Sequence, residues 1–242
     1  MDMLLKMDSA DRAFLLLAGH MQNELNSVHK VFAWCLHSRS TDRRSSIERL
    51  ADGIQAMIYA RILAGKLYEA RQVLSAAFFA TKLWQRVKPR LDPTAQEALK
   101  KIEKYFSNIK TIKKVRNSFA FHYSAAEFGL NWEAAADEGP FELILGGTVG
   151  NNLHLASELV ANTALLSAIN SNDREDALRT FFNEVQSVAS DFTHFLEGTV
   201  VAILEEQFGT SLGALGREEE ISPARSYREV SIPFFCKPDT AP

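Results

Sequence analysis

The apolar residues of this 242-residue chain recur every three or four positions over long stretches, and this spacing is typical of helical folds. Such a stripe is the face that an amphipathic helix turns toward a protein core. The first stretch begins at Ser9 or Asp11, either of which can cap a helix. Its stripe consists of Phe14, Leu17, Met21, Leu25, Val28, Phe32 and Cys35. We therefore predict a long first helix that ends before the polar stretch HSRSTDRRSS.

A second long helix is predicted after this polar stretch. Ser45 or Ser46 can cap it, and Glu48 supplies an acid in its first turn. The apolar spacing continues from there almost to Pro89. Gly65 is the weak point of this stretch, where a bend is plausible.

Further helical stretches are indicated along the chain. Asp92, followed by a proline, is a strong start signal, and after Asn108 the helical spacing resumes up to Phe119. A helix is predicted over residues 156 to 169. Asn172 with Glu175 resembles a capping pair that opens a last helix reaching about residue 208.

The remaining segments lack this spacing. Residues 124 to 140 are interpreted as irregular, and FELILGGTVGNNLHLAS alternates around a Gly- and Asn-rich turn, which predicts a short β-hairpin. The fold class predicted is all-α, an up-and-down bundle of long helices with this hairpin inserted after the helical stretch that reaches Phe119, which is called the motif helix below. One domain is predicted over residues 1–208, and the Gly-, Glu-, Ser- and Pro-rich residues 209–242 are predicted to form a mobile tail.

Composition favours a cytoplasmic protein. Cys35 and Cys236 lie far apart and give neither a disulfide framework nor a metal-ligand spacing. The first residues include an acid at the second position and no small-residue cleavage site, so we do not interpret them as a signal peptide. No apolar run approaches the roughly 18 residues of a membrane-spanning helix, and no membrane association is expected.

The net charge of −3 hides an uneven distribution of charge along the chain. Residues 82 to 116 contain eleven Lys and Arg against Asp92, Glu97 and Glu103, a net +8, so the rest of the chain carries −11. A basic segment can bind a polyanion such as RNA. It can equally be the solvated face of amphipathic helices.

The basic segment ends at KKVRNSFAFHYS, residues 113 to 124, which contains the candidate site. The guanidinium of Arg116 can bind a phosphate through two parallel hydrogen bonds. The imidazole of His122 can take or give a proton near neutral pH, and the amide of Asn117 can orient either group. Together these groups suffice for attack of an RNA 2′-hydroxyl on the adjacent phosphodiester, a reaction that needs no metal.

The stretch KVRNSFAFHY resembles the signature of the HEPN superfamily, whose members are helical bundles with an Arg-polar-x4–6-His motif near a helix end. The resemblance implies a metal-independent endoribonuclease that works as a homodimer with the two motifs facing each other. It also implies a role in a toxin–antitoxin or phage-defence system, with an antitoxin or another protein as a possible partner. Arg116 would bind phosphate, Asn117 would support it, and His122 would act as general acid or base.

The resemblance implies no metal and no cofactor, and neighbouring residues complete the predicted site. Lys113 and Lys114 would guide the RNA strand, and Tyr123 either lines the substrate cleft or packs. His20, His29 and His37 have no spacing that suggests metal ligation, so we interpret them as surface or packing residues.

Alternatives stay open at the motif itself. On a regular helix, residues six apart differ by about 120° around the axis and about 9 Å along it. Either the helix distorts between Arg116 and His122, or the two groups meet only across a dimer, or they never meet and His122 is a core histidine. In the last case the chain would be a non-catalytic helical module that binds a protein or nucleic acid.

Overall fold

The fold of the chain, obtained as a computed structural model, is all-α with one small antiparallel hairpin, as predicted. The structure describes residues 2–37, 45–108, 111–120, 125–136, 141–215, 219, 225–226, 229–230 and 232–237. His122 and Tyr123 lie outside these residues. The helical bundle and the hairpin insertion after the motif are confirmed.

The described helices and strands follow in this order along the chain. The helices before the motif are α1 (Asp2–Leu5), α2 (Ser9–His37), α3 (Ser46–Ala77), α4 (Lys82–Val87) and α5 (Pro93–Ser107). The motif region contains α6 (Thr111–Val115), a π-helical segment (Arg116–Ala120) and α7 (Ala125–Ala136). The remaining elements are β1 (Leu143–Ile144), β2 (Leu153–His154), α8 (Leu155–Ile169), α9 (Arg174–Phe208) and α10 (Leu212–Leu215).

Two of the predicted caps are confirmed. The backbone N–H of Glu48 donates to Ser45 Oγ at 3.2 Å, and the N–H of Ser45 donates to the Glu48 carboxylate at 2.7 Å, which is a complete capping box. Asp92 accepts from the N–H of Ala95 at 2.8 Å and so caps α5.

Two other caps differ from the prediction. Asp8 Oδ1 accepts from the N–H of Ala10 at 2.9 Å, so Asp8 caps α2. Asp173 Oδ1 accepts from the N–H of Asp176 at 2.9 Å, so Asp173 and not Asn172 caps α9. In both cases the aspartate lies at the N-cap, directly before the first helical residue, where its carboxylate accepts from an unpaired backbone N–H group of the first turn.

One predicted helix end and one predicted irregular segment were also wrong. The second helix ends at Ala77 instead of continuing almost to Pro89, because Thr81 accepts from the N–H of Trp84 at 3.2 Å and starts α4. The backbone is helical through Gly65. The stretch interpreted as irregular contains the twelve-residue α7.

The chain folds into two compact units, each built from segments that are distant in sequence. The first comprises Met1–Ser27, Lys66–Ile109 and Gln186–Ala224, and the second comprises Val28–Gly65, Lys110–Val185 and Arg225–Pro242. The prediction of one domain over residues 1–208 stays a prediction.

The first unit has an aromatic core. Phe14 stacks on Phe78 with 3.9 Å between ring centroids, and Trp84 meets Phe78 at 5.1 Å. Trp84 also contacts Phe195 edge-on at 6.2 Å. These rings are therefore used in packing. Leu17, which was assigned to the apolar stripe of the first helix, is exposed, whereas Leu15 is buried.

The second unit contains the hairpin and its core. Leu143 pairs with His154 and Ile144 pairs with Leu153. A buried cluster underlies the hairpin and consists of Ala51, Ile54, Leu153 and Leu155. Part of the predicted tail packs here, since Phe234 and Phe235 contact this cluster. The N–H of Phe234 donates to Asp52 Oδ1 at 3.0 Å. Mobility of the tail as a whole stays a prediction.

Candidate active site

Apolar anchors hold the motif helix in the second unit. Ile112, Val115 and Phe119 are buried at intervals of three and four residues, with exposed fractions of 0%, 1% and 6%. The same spacing turns other motif residues away from this core. Lys113 and Asn117 are exposed, and Lys114 and Arg116 are half-buried.

Arg116 and Asn117 contact each other directly. Nη1 of Arg116 donates to Oδ1 of Asn117 at 3.1 Å. A guanidinium has five N–H donors in a fixed fork, so a bond to an amide oxygen restricts the rotation of the group. The role predicted for the Asn117 amide, to orient a neighbouring group, is thus available to it.

The helix distorts at the motif, which is one of the alternatives left open by the sequence. Arg116–Ala120 form a π-helical segment directly after the regular turn of α6. Such segments are rare and occur frequently at functional sites. The segment contains neither proline nor glycine, so its residue types did not predict the distortion. His122 and Tyr123 follow two and three residues later, outside the described residues.

A cavity of about 220 Å³ lies beside the π-helical segment. Phe119 and Ala120 contribute to its wall, and α3, α7 and α8 supply the other lining residues. Two charged residues line it: Arg61 Nη2 donates to Glu158 Oε2 at 2.6 Å. Their side chains are 8% and 22% exposed.

Sequence reasoning missed Arg61 and Glu158. They are 97 positions apart, so no spacing rule connects them. The available signal was local: Arg61 is the single charge in the apolar stretch MIYARILAG of α3. A charge in a buried stripe needs a partner, but the sequence does not say which acid supplies it.

Lys114 contributes to a second cavity of about 310 Å³. Thr111 and Val115 of α6 and Leu165 of α8 are among the other residues that line it. The lysine stem and these apolar side chains make this cavity a packing gap with one charged edge.

The predicted basic segment is divided between the two units, with residues 82–109 in the first and 110–116 in the second. In the first unit, Lys88 and Lys100 line a cavity of about 540 Å³. Arg86 of the same segment is engaged with Asp11 and with Glu206. The hydrogen bond to Asp11 raises the pKa of Arg86 above its ordinary value. We therefore assign Arg86 a structural role.

Other sequence expectations concern metals and membranes. Within the described ranges, no group of three or more His, Cys, Asp or Glu side chains is arranged to hold a metal ion. No helix among the described residues is long and apolar enough to cross a membrane. Burial lowers the pKa of His29, in keeping with a packing role, and His20 lies 3.8 Å from Glu24.

The fold and the motif define the class of protein as an all-α protein with an arginine–amide pair on a distorted helix. Comparison with protein-family models, with curated proteins and with solved structures finds no match to this chain.

Proposed function

We propose that this protein is a metal-independent endoribonuclease that uses the motif from Arg116 to His122. One observation carries the proposal: the Arg116 guanidinium is bonded to Asn117 at 3.1 Å within a π-helical segment that ends two residues before His122. A guanidinium stays protonated at physiological pH and can bind a phosphate through two parallel hydrogen bonds, and the bond to the Asn117 amide restricts its rotation. The resemblance of the motif to the HEPN signature supports the same chemistry.

The reaction begins with attack of the RNA 2′-oxygen on the adjacent phosphorus. His122 takes the 2′-hydroxyl proton, the new O2′–P bond forms, and the P–O5′ bond breaks. Arg116 stabilises the charge that develops on the non-bridging oxygens. The departing 5′-oxygen takes a proton, which leaves a 2′,3′-cyclic phosphate and a 5′-hydroxyl.

Base and acid are both needed in one turnover, and this requirement favours a homodimer. If the two motifs face each other, His122 of one protomer would act as the base and His122 of the other protomer as the acid. Lys113, which is exposed, and Lys114, which is half-buried, would guide the strand, and Tyr123 would line the cleft. A cytoplasmic toxin or phage-defence nuclease, held in check by an antitoxin or another partner, fits this activity.

The test is RNA cleavage by the purified protein in excess EDTA, with structured and single-stranded RNA. Arg116→Ala and His122→Ala should each reduce cleavage by about 10²- to 10⁴-fold without changing the melting temperature. Arg179→Ala is the matched control, because it removes an exposed arginine of the same unit that pairs with Asp176. Equal cleavage by all four proteins would overturn the proposal.

A second candidate function is a non-catalytic helical module that binds RNA. The 540 Å³ cavity in the first unit favours it, because Lys88 and Lys100 line it together with Gln85 and Gln96. RNA binding that falls steeply with salt, without cleavage, would establish this alternative. Lys88→Ala with Lys100→Ala should then weaken binding, whereas Arg116→Ala should not.

A further inference from the structure

The cavity beside the π-helical segment combines aromatic side chains with a buried ion pair. It is lined by two aromatic rings, Phe119 and Phe128, and by the ion pair of Arg61 with Glu158. Ligand sites are typically apolar and aromatic cavities with a small number of placed polar groups. Phe119 and Ala120 also belong to the segment that carries Arg116, so the cavity wall and the phosphate-binding candidate share one structural element.

The ion pair is poorly explained by stability alone. Burial of two charges removes their hydration, and an apolar pair of similar volume often stabilises a core as well or better. Arg61 is nevertheless only 8% exposed, within an apolar stretch. The hydrogen bond that joins Nη2 of Arg61 to Oε2 of Glu158 uses one of five guanidinium N–H groups and one of two carboxylate oxygens. Arg61 can therefore still donate hydrogen bonds to a ligand, and Glu158 beside it can still accept them.

We propose that this cavity is a nucleobase pocket that selects guanine, a proposal that rests on the ribonuclease function above. Unstacked RNA bases bind between aromatic side chains and are recognised by hydrogen bonds on their edges. Guanine presents a carbonyl acceptor beside two N–H donors. Arg61 donates to O6, as arginine does in specific guanine contacts, and Glu158 accepts from N1–H and from the 2-amino group. Phe119 and Phe128 line the cavity and supply apolar aromatic surface for the base.

Binding of free nucleotides tests the pocket without any catalysis. Guanosine 3′-monophosphate should bind the wild type about tenfold more tightly than uridine or inosine 3′-monophosphate, measured by titration calorimetry. Inosine lacks only the 2-amino group, so this comparison isolates the contact with Glu158. Glu158→Gln should remove the preference, because the amide presents N–H groups where the carboxylate accepts.

Glu206→Gln is the matched control for this substitution. Glu206 is bonded to Arg86 at 3.0 Å and is 20% exposed, close to the 22% of Glu158, but it does not line the cavity. This variant should keep the full guanosine preference. A wild type that binds the three nucleotides equally, or a folded Glu158→Gln protein that keeps the preference, would overturn the pocket.

A variant that leaves the ion pair intact covers the case in which Glu158→Gln does not fold. Ser157 is an exposed lining residue, and Ser157→Leu should block the cavity and lower guanosine affinity at an unchanged melting temperature. Unchanged affinity in a folded Ser157→Leu protein would refute the proposal. The two proposals fail separately: guanosine binding without RNA cleavage refutes the nuclease alone, and cleavage without guanosine preference refutes the pocket alone.

Discussion

At the residue scale, the central pair is Arg116 with Asn117. The motif spacing made Arg116, Asn117 and His122 candidates and predicted an orienting role for the Asn117 amide, which now bonds the Arg116 guanidinium. The pair of Arg61 with Glu158 was not foreseeable, because folding alone brings together residues 97 positions apart. Local chemistry can thus be predicted from a sequence more readily than long-range pairing.

Asn117→Ala tests whether the amide positions the guanidinium. Loss of one hydrogen bond to a charged group should lower kcat by about tenfold, a smaller effect than that of Arg116→Ala. The melting temperature should not change, because Asn117 is exposed. Steady-state cleavage kinetics measure the effect, and unchanged kcat would show that Arg116 needs no such support.

His29 gives the stability a pH dependence with a definite sign. Burial lowers its pKa below the ordinary value of 6.5, so below this pH the unfolded chain binds a proton before the folded chain does. Stability should therefore decrease as the pH falls through 6.5 toward the lowered pKa. It should be unaffected by this residue at higher pH.

The substitution His29→Gln should remove part of this decrease. Melting temperatures at about pH 8 and about pH 5 measure it. His20→Gln is the control, because His20 is 68% exposed. An equal loss of melting temperature in the wild type and the His29→Gln protein would contradict the assignment.

At the scale of elements, the long periodic helices were the most predictable part of the fold. The wrong predictions fall where a local signal for a helix start or a helix was weaker than the pattern of apolar residues around it. The end of α3 depends on the side chain of Thr81, hidden inside an apolar stretch that continues to Trp84. The helix α7 was missed although alanines at 125, 126 and 134 to 136 favour it, because the segment lacks the apolar stripe of the other helices.

Two glycines in helices should respond to alanine in opposite ways. At Gly129 of α7 a Cβ would meet nothing within 4 Å, so Gly129→Ala should stabilise the protein by about 0.5–1 kcal/mol through helix propensity. At Gly198 of α9 a Cβ would overlap the Cβ of Ala95 in α5. Gly198→Ala should therefore destabilise the protein despite its better propensity.

Urea unfolding of both variants measures these free energies. Because each protein serves as the other's control, a change in helix propensity alone cannot explain opposite signs. Stabilisation by both substitutions would show that α9 shifts away from α5 at little cost.

At the scale of the whole molecule, the helical class followed from periodicity and the hairpin followed from alternation around a Gly- and Asn-rich turn. The division of the chain into two compact units did not follow from composition, since the unit boundaries fall within the predicted helices at residues 27, 65 and 185. No glycine- or proline-rich linker in the sequence marks such boundaries. The sum of charges along the sequence likewise did not predict that the basic segment is divided between the two units.

The homodimer is a prediction at this scale, and it follows from the need for two proton-transfer groups. Mixing wild-type protein with an excess of His122→Ala protein tests it. Because one histidine from each protomer is needed in one turnover, heterodimers should not cleave RNA, and the activity of the added wild-type protein should fall steeply once subunits exchange. Wild-type subunits that keep their full activity in a mixture with demonstrated subunit exchange would favour a site built within one protomer.

The measurement that tests the central claim most directly is the chemical identity of the RNA ends produced in excess EDTA. Mass spectrometry of the shortest products should find 2′,3′-cyclic phosphate and 5′-hydroxyl ends with the wild type and none with His122→Ala. Ends carrying a 5′-phosphate, or cyclic ends from both proteins alike, would contradict the account.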